Sequence, residues 1–268
     1  MRVSVIDEIK SAKKIVIKVG TSTLTHDNGK LNLRRIERLT RVISNLKNQG
    51  KDVILVSSGA VGVGVSKLSL SERPKDTIGK QAAAAVGQCE LMNIYGRLFS
   101  EYGYTVAQVL LTKDIVDHAK REENAKNALT RLEEMGVIPI INENDTVSVE
   151  EIEFGDNDTL SAIVATITEA DVLVLLTDID GLFDSDPHTN DEAMLIRVVN
   201  EVDDSIRAMA GGSAGSFGTG GMQTKIHAAE IATEKGIHMI VTNGEKPDIL
   251  YDIFDGKVEG TIFVGRKA

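Results

Sequence analysis

The sequence predicts an α/β protein: a three-layer αβα sandwich around a mainly parallel central sheet. Six short runs rich in β-branched residues are apolar throughout rather than alternating, which implies burial on both faces, as in a parallel sheet. Between them lie stretches with helical spacing of apolar residues. Strand and helix alternating in this way give a doubly wound sheet, whose ligands sit at the carboxyl ends of the strands.

The strands are expected at 14–19 (KIVIKV), 52–56 (DVILV), 104–111 (YTVAQVLL), 137–141 (VIPII), 172–176 (VLVLL) and 237–241 (IHMIV). The helix at 32–48 follows from Leu33, Ile36, Leu39, Val42, Ile43 and Leu46 on one face. Further helices are expected at 80–101, which is alanine-rich, and at 121–135, 159–169 and 222–235. With four prolines and no Pro- or Ser-rich linker, residues 1–268 read as a single domain, and two lobes within one continuous sheet remain open.

Composition narrows the function. The chain has 268 residues, 42% apolar and 26% charged, with a formal net charge of −10. These values fit a globular domain with a sizeable core. The acidic balance argues against a nucleic-acid partner, which needs clustered Lys and Arg. No run reaches ~18 consecutive apolar residues, so no membrane span is expected. The opening MRVSVIDEIKSAKK contains acids and no apolar run of signal-peptide length. The expectation is a cytoplasmic protein in a reducing compartment. Cys89 is the single cysteine, which excludes an intrachain disulfide; in its alanine-rich setting it reads as a small apolar residue.

Four loops following strands carry the chemistry. Lys18 sits near the end of an apolar strand and before Gly20-Thr21-Ser22. It is either an edge lysine reaching for solvent or a positive charge aimed at a phosphate. The run from Ser57 to Gly64 (SSGAVGVG) follows a strand and opens a helix, offering free N–H groups and a positive dipole end; glycines there also occur for steric reasons alone. The polar clusters Asn142-Glu143-Asn144-Asp145 and Gly155-Asp156-Asn157-Asp158 flank a short segment. Asp158 is a fair helix cap, but two such clusters exceed what capping needs and suit an amino-acid head group. Last, the glycine-rich run from Gly215 to Gly221 enters a helix with Lys225 one turn in, the pattern of a phosphate cradle with a lysine, or else a flexible loop.

Other motif matches fail on context. Gly211-Gly212-Ser213-Ala214-Gly215 follows a helical segment, not a strand, so it is no nucleophile elbow. There is no Walker-type P-loop, no H-E-x-x-H and no C-x-x-C. The acidic run from Asp178 to Asp186 has its glycine at the wrong offset for an EF-hand. The histidines at 26, 118, 188, 227 and 238 are scattered and read as surface or structural residues.

The ordered set IVIKVGTSTLT, VSSGAVGVG, KQAAAAVGQCELM, INENDTVS, FGDNDTLSAIVA, LLTDIDGLFDSDP and GTGGMQTKIHAAEIA resembles the amino acid kinase family, and within it the glutamate 5-kinases. The resemblance runs from Ile15 to about Phe263 and covers the kinase core without the C-terminal RNA-binding-type module that many of these enzymes carry. It implies ATP and L-glutamate as substrates, and L-glutamyl 5-phosphate, the first intermediate of proline biosynthesis, as product. It implies that Lys18, Thr177, Asp178, Thr219, Gly220, Gly221, Met222, Gln223, Thr224 and Lys225 hold the nucleotide. It further implies that Ser58, Gly59, Asn142, Asp145 and Asn157 hold glutamate, and that Lys18, Asp158 and Lys225 are catalytic. The N-terminal part would then serve mainly the amino acid and the C-terminal part mainly the nucleotide. Mg²⁺ would be delivered with ATP, with no metal site of the protein's own. A homo-oligomer (dimer or tetramer), coupling to glutamyl phosphate reductase and inhibition by proline are implied in the same way.

The chemistry agrees with this. A γ-carboxylate has an unperturbed pKa near ~4.3 and is ionised at neutral pH, so phosphoryl transfer to it needs no general base. Two rivals stand beside this reading: a kinase for another carboxylate such as aspartate, and a catalytically dead amino-acid sensor on the same fold. The three charged residues Lys18, Asp158 and Lys225 argue against the sensor.

Overall fold

The computed structural model describes residues 4–26, 29–147, 157–187, 189–211 and 221–266. One eight-stranded sheet forms the middle layer: β1 (Lys14–Val19), β2 (Asp52–Ser57), β3 (Val106–Leu111), β4 (Ile138–Glu143), β5 (Val172–Thr177), β6 (Val198–Val199), β7 (His238–Asn243) and β8 (Thr261–Phe263). Their order across the sheet is β3-β4-β2-β1-β5-β7-β8-β6. All pairings are parallel except β7 with β8. The expected three-layer, mainly parallel architecture is therefore observed. β6 and β8 are additional; at two and three residues they are too short to leave a periodic signal.

Each inner strand is buried on both faces, and its side chains divide between two cores. Val16, Ile54, Val56, Leu173, Leu175, Met239 and Val241 join one cluster. Ile15, Ile17, Val19, Val53, Leu55, Val174 and Ile240 join the other. The two-residue period of a strand produces this split.

Helices cover both faces. They are α1 (Val5–Ser11), α2 (Thr21–Leu24), α3 (Leu33–Asn48), α4 (Ala60–Lys67), α5 (Thr77–Ser100), α6 (Ala119–Glu134), α7 (Asn157–Ile167), α8 (Asp204–Gly211), α9 (Met222–Glu234) and α10 (Ile249–Phe254), with a 3₁₀ turn at Lys113–Asp117. Caps explain several starts. The Asn32 side chain accepts from the Arg35 N–H, and Asp76 accepts from the Gly79 N–H, which places the start of α5 three residues before the apolar pattern predicts. The loop expected after β1 is instead the single helical turn α2. The glycine-rich stretch after β2 becomes α4, entered through Gly59 at φ +100°, a conformation that glycine adopts at no steric cost.

Glycine also sets how closely α4 and α5 approach. A Cβ at Gly87 would overlap the Ala60 carbonyl, and one at Gly64 would overlap the carbonyl of Ala83. The two backbones are thus pressed together beside the end of β2. Cys89 departs from its expected role: it is on α5 as predicted, but on the exposed face. His238 is buried and structural, with Nε2 2.9 Å from Glu8 Oε2 and Nδ1 accepting from the Gly265 N–H, while His118 and His227 are exposed.

The α4–α5 contact gives a direct prediction. Gly87→Ala forces a methyl into a backbone carbonyl and should cost on the order of 2 kcal/mol, lowering Tm by about 4–8 °C. A Gly87→Ala variant that melts with the native protein would mean that the two helices are not in this contact.

Candidate active site

The middle strands β1, β2, β4 and β5 all end at one edge of the sheet, and α4 and α7 start beside them. At β1 the chain order reverses: β2 and β4 lie on one side, β5 and β7 on the other. This is the position at which doubly wound sheets bind ligands.

Lys18 is the next-to-last residue of β1, in register with Val56 and Leu175. It shares the face of Val16, so its side chain runs towards the layer of α7 and α9 instead of reaching solvent at a sheet edge. There its Nζ lies 2.6 Å from Asp158 Oδ1. Lys225, in the first turn of α9, puts its Nζ 3.1 Å from Asp158 Oδ2, and the Thr224 hydroxyl donates to the same oxygen at 3.1 Å. Asp158 is fully buried, and Lys18 and Lys225 are 8% and 4% exposed. Burial alone would push the Asp158 carboxyl up. The two ammonium groups, Lys18 before Lys225, outweigh it and hold the carboxyl well below the usual carboxylate range.

Asp158 lies within α7, whose first residue is Asn157, so the helix begins two residues earlier than the apolar pattern predicts. The carboxylate serves the two lysines and Thr224. This differs from the capping role that its sequence position also allows.

On the β2–β4 side an amide chain closes the site. Asn157 Nδ2 donates to Ser58 Oγ at 2.9 Å and to Asn142 Oδ1 at 2.7 Å. Asn142 Nδ2 donates to Gln88 Oε1 on α5 at 3.0 Å. Gly59 stands at the start of α4, where no side chain caps the first turn. Asp145 follows β4 and is partly buried. Burial, then the negative charge of Glu143, pushes its carboxyl up to about 6.

On the β5 side, Thr177 ends the strand, and its hydroxyl donates to Asp178 Oδ1 at 3.0 Å. Gly221 precedes α9 and offers no side-chain cap of its own to the positive end of that helix. Met222 packs on the core, and Gln223 is exposed. Thr219 and Gly220 lie outside the described residues. Among the described residues no group of three or more His, Cys, Asp or Glu stands together to hold a metal ion, and no helix is long and apolar enough to cross a membrane.

The structure thus gathers Lys18, Asp158 and Lys225 into one triad, and Ser58, Asn142 and Asn157 into one hydrogen-bonded chain. Sequence reasoning missed Gln88. Gln88 and Tyr95 lie seven residues apart on the alanine-rich α5, and only their burial in the structure marks them out. Both residues send polar atoms inward, Tyr95 to Ser57 Oγ at 2.9 Å.

Residues 13–243 match the model of the amino acid kinase family. The chain belongs to the amino acid kinase family. A glutamate 5-kinase of Clostridium perfringens is 54% identical over 263 residues, covering 97% of this chain and 98% of that protein. One from Listeria innocua is 51% identical over 265 residues, covering 97% and 96%. A UMP kinase from Bacillus anthracis matches the fold, with a TM-score of 0.66 over 96% of this chain and 97% of that one, at 16% identity. The protein is therefore a kinase of this family, with the triad and the amide chain on opposite sides of its central strand ends.

The triad generates a prediction. Asp158→Asn removes the carboxylate held between two buried ammonium groups, a loss on the order of 3 kcal/mol in the absence of nucleotide. ATP brings anionic phosphates to the same lysines, so it should raise the Tm of the variant more than that of the wild type. Equal ATP-induced shifts in differential scanning would remove the phosphates as the counter-charge of these lysines.

Proposed function

We propose that the chain transfers the γ-phosphoryl group of ATP to the γ-carboxylate of L-glutamate, forming L-glutamyl 5-phosphate for proline biosynthesis. The observation that supports it best is the pair of buried lysines on one buried carboxylate, at the strand ends where the sheet order reverses. The 51–54% identity to glutamate 5-kinases over nearly full length supports the choice of acceptor.

In this reading the glutamate carboxylate oxygen attacks the γ-phosphorus, and the bond from phosphorus to the ADP oxygen breaks. The acceptor is already ionised, so no proton has to be removed. What must be overcome is repulsion between two anions. Lys18 approaches from β1 and Lys225 from α9, and each offsets charge on the phosphoryl group in flight. Asp158 keeps the two ammonium groups at a fixed separation. Thr177, Asp178 and the α9 start from Gly221 to Lys225, together with Thr219 and Gly220, hold the nucleotide. Ser58, Gly59, Asn142, Asp145 and Asn157 hold glutamate. This division makes the N-terminal half of the single domain the amino-acid side and the C-terminal half the nucleotide side.

Mg²⁺ would enter on the ATP phosphates and keep most of its water ligands. We place the enzyme in the cytoplasm as a homo-oligomer, a dimer or a tetramer. Acyl phosphates hydrolyse readily, which favours coupling to a glutamyl phosphate reductase.

Hydroxylamine trapping tests the assignment. Glutamate with Mg-ATP should give ADP and a hydroxamate faster than aspartate or N-acetylglutamate does; faster turnover of either rival acceptor would overturn it. Lys18→Ala and Lys225→Ala should each lower kcat by roughly 10²–10³-fold, more than they weaken ATP affinity; normal kcat in either would remove that lysine from the reaction.

The Asp145 carboxyl gives a pH signature. Its value is raised from 3.8 to about 6, so it is neutral below that pH and anionic above it. Only the anion can pair with the substrate ammonium. The kcat/KM for glutamate should therefore fall as pH drops through about 6, while KM for ATP stays level. Asp145→Asn should lower kcat/KM and abolish that limb of the profile. An unchanged limb in the variant would place the titrating group elsewhere.

A further inference from the structure

Asn157 has spent both of its amide hydrogens inside the protein, on Ser58 Oγ and on Asn142 Oδ1. Its oxygen is the atom left over. That Oδ1 is buried and accepts no hydrogen bond among the described residues. Asn157 is 1% exposed, so the oxygen has no bulk water to turn to. A buried acceptor calls for a donor, and beside a ligand site the ligand can supply it.

The direction of the chain follows from the residue before it. Asn142 accepts from Asn157 through Oδ1 because its Nδ2 is turned to Gln88 Oε1. An amide can be turned over at little intrinsic cost, so hydrogen-bond partners set its polarity. If Asn142 turned over, its Nδ2 would face the Nδ2 of Asn157, and Asn157 would have to turn as well. The site would then present N–H groups where it now presents oxygen. A carboxylate would be favoured there in place of an ammonium group.

Gln88 stands at the head of this relay, on a helix whose position is fixed on both sides of it. It is on α5 beside Gly87, whose lack of a Cβ lets the helix lie against the Ala60 carbonyl. One helical repeat further on, Tyr95 is anchored on Ser57. Among the described residues the hydrogen bond of Gln88 is to Asn142.

We propose that Gln88 is a positioning residue that sets the polarity of the Gln88–Asn142–Asn157 relay, so that Asn157 Oδ1 receives the α-ammonium group of the acceptor. This rests on the reading of Asn157 as part of the amino-acid site. The relay makes the site choose an amino dicarboxylate over the same dicarboxylate without an amine, and glutarate is that comparison for glutamate.

The experiment compares Gln88→Met, which keeps the length but loses the acceptor, with Gln88→Glu, which keeps an acceptor oxygen. Gln88→Ala replaces Gln88→Met if the latter does not fold. Asn157→Ala is run alongside. Expected in Gln88→Met are a roughly ten- to hundredfold higher KM for glutamate, an unchanged KM for ATP, and a smaller preference for glutamate over glutarate in kcat/KM. Gln88→Glu should restore that preference to within a few-fold of wild type. If Asn157→Ala raises the glutamate KM while Gln88→Met keeps both the KM and the preference, the relay is wrong and the amino-acid site stands. If Asn157→Ala leaves the glutamate KM unchanged, the site reading falls and the relay with it. Failure of Gln88→Glu to restore the preference would reduce Gln88 to packing.

Discussion

The structure of the site depends on a single buried carboxylate shared by two buried lysines. Placing three charges where water cannot reach them is costly, because the Coulombic gain in such a place rarely exceeds the desolvation penalty. Asp158 meets two ammonium groups with one carboxylate. In the proposed reaction both ammonium groups face polyphosphate. The depressed Asp158 carboxyl means that its contribution to stability is full above the ordinary aspartate range and is lost as pH falls below it, so Asp158 stays charged at any working pH.

The sheet makes this arrangement possible. Lys18 reaches the triad because the two-residue period of β1 turns it to the same face as Val16, towards α7 and α9, while Ile17 and Val19 fill the opposite core. Shifting β1 by one residue against its neighbours would move the lysine into the α3–α5 core. The pairing of β1 with both β2 and β5 over nearly its whole length opposes such a slip. Register, usually a matter of packing, here also fixes the position of a charge.

Much of this was legible in the sequence, for definable reasons. Five inner strands were found within a residue or two because a strand buried on both faces is a continuous apolar run. The outer β3 was expected two residues early, since Tyr104 and Thr105 extend the pattern without joining the ladder. Asp158 could be seen as a candidate but not resolved from a cap, because both roles place an aspartate at a helix start; only the 2.6 and 3.1 Å contacts to the lysines separate them. α4 could be read only as a helix start after a glycine turn, because Gly62 and Gly64 weaken helix propensity; Gly64 sits where α5 comes close. Gln88 gave no clear signal. Its partner Asn142 is 54 residues away, and nothing in a helical pattern distinguishes a buried amide from an exposed one.

In the proposed reaction the two halves of the site use different physics, in keeping with two different jobs. On the α9 side, charge does the work: ammonium groups act on phosphate at any angle, so their placement tolerates small movements of a transferring group. On the α5 side, discrimination comes from the orientation of neutral amides. A neutral acceptor held in one direction favours a donor without attracting every cation, and it adds no further negative charge beside an anionic acceptor and ATP. Glu143 and Asp145 already crowd two carboxyl groups at the end of β4, enough to help raise Asp145. A third carboxylate in place of Asn157 would raise it further and weaken the grip on the ammonium near neutral pH. An amide relay anchored on Gln88 gives the same selectivity with no net charge, and this accounts for three buried amides in a row where the sequence could have offered acids.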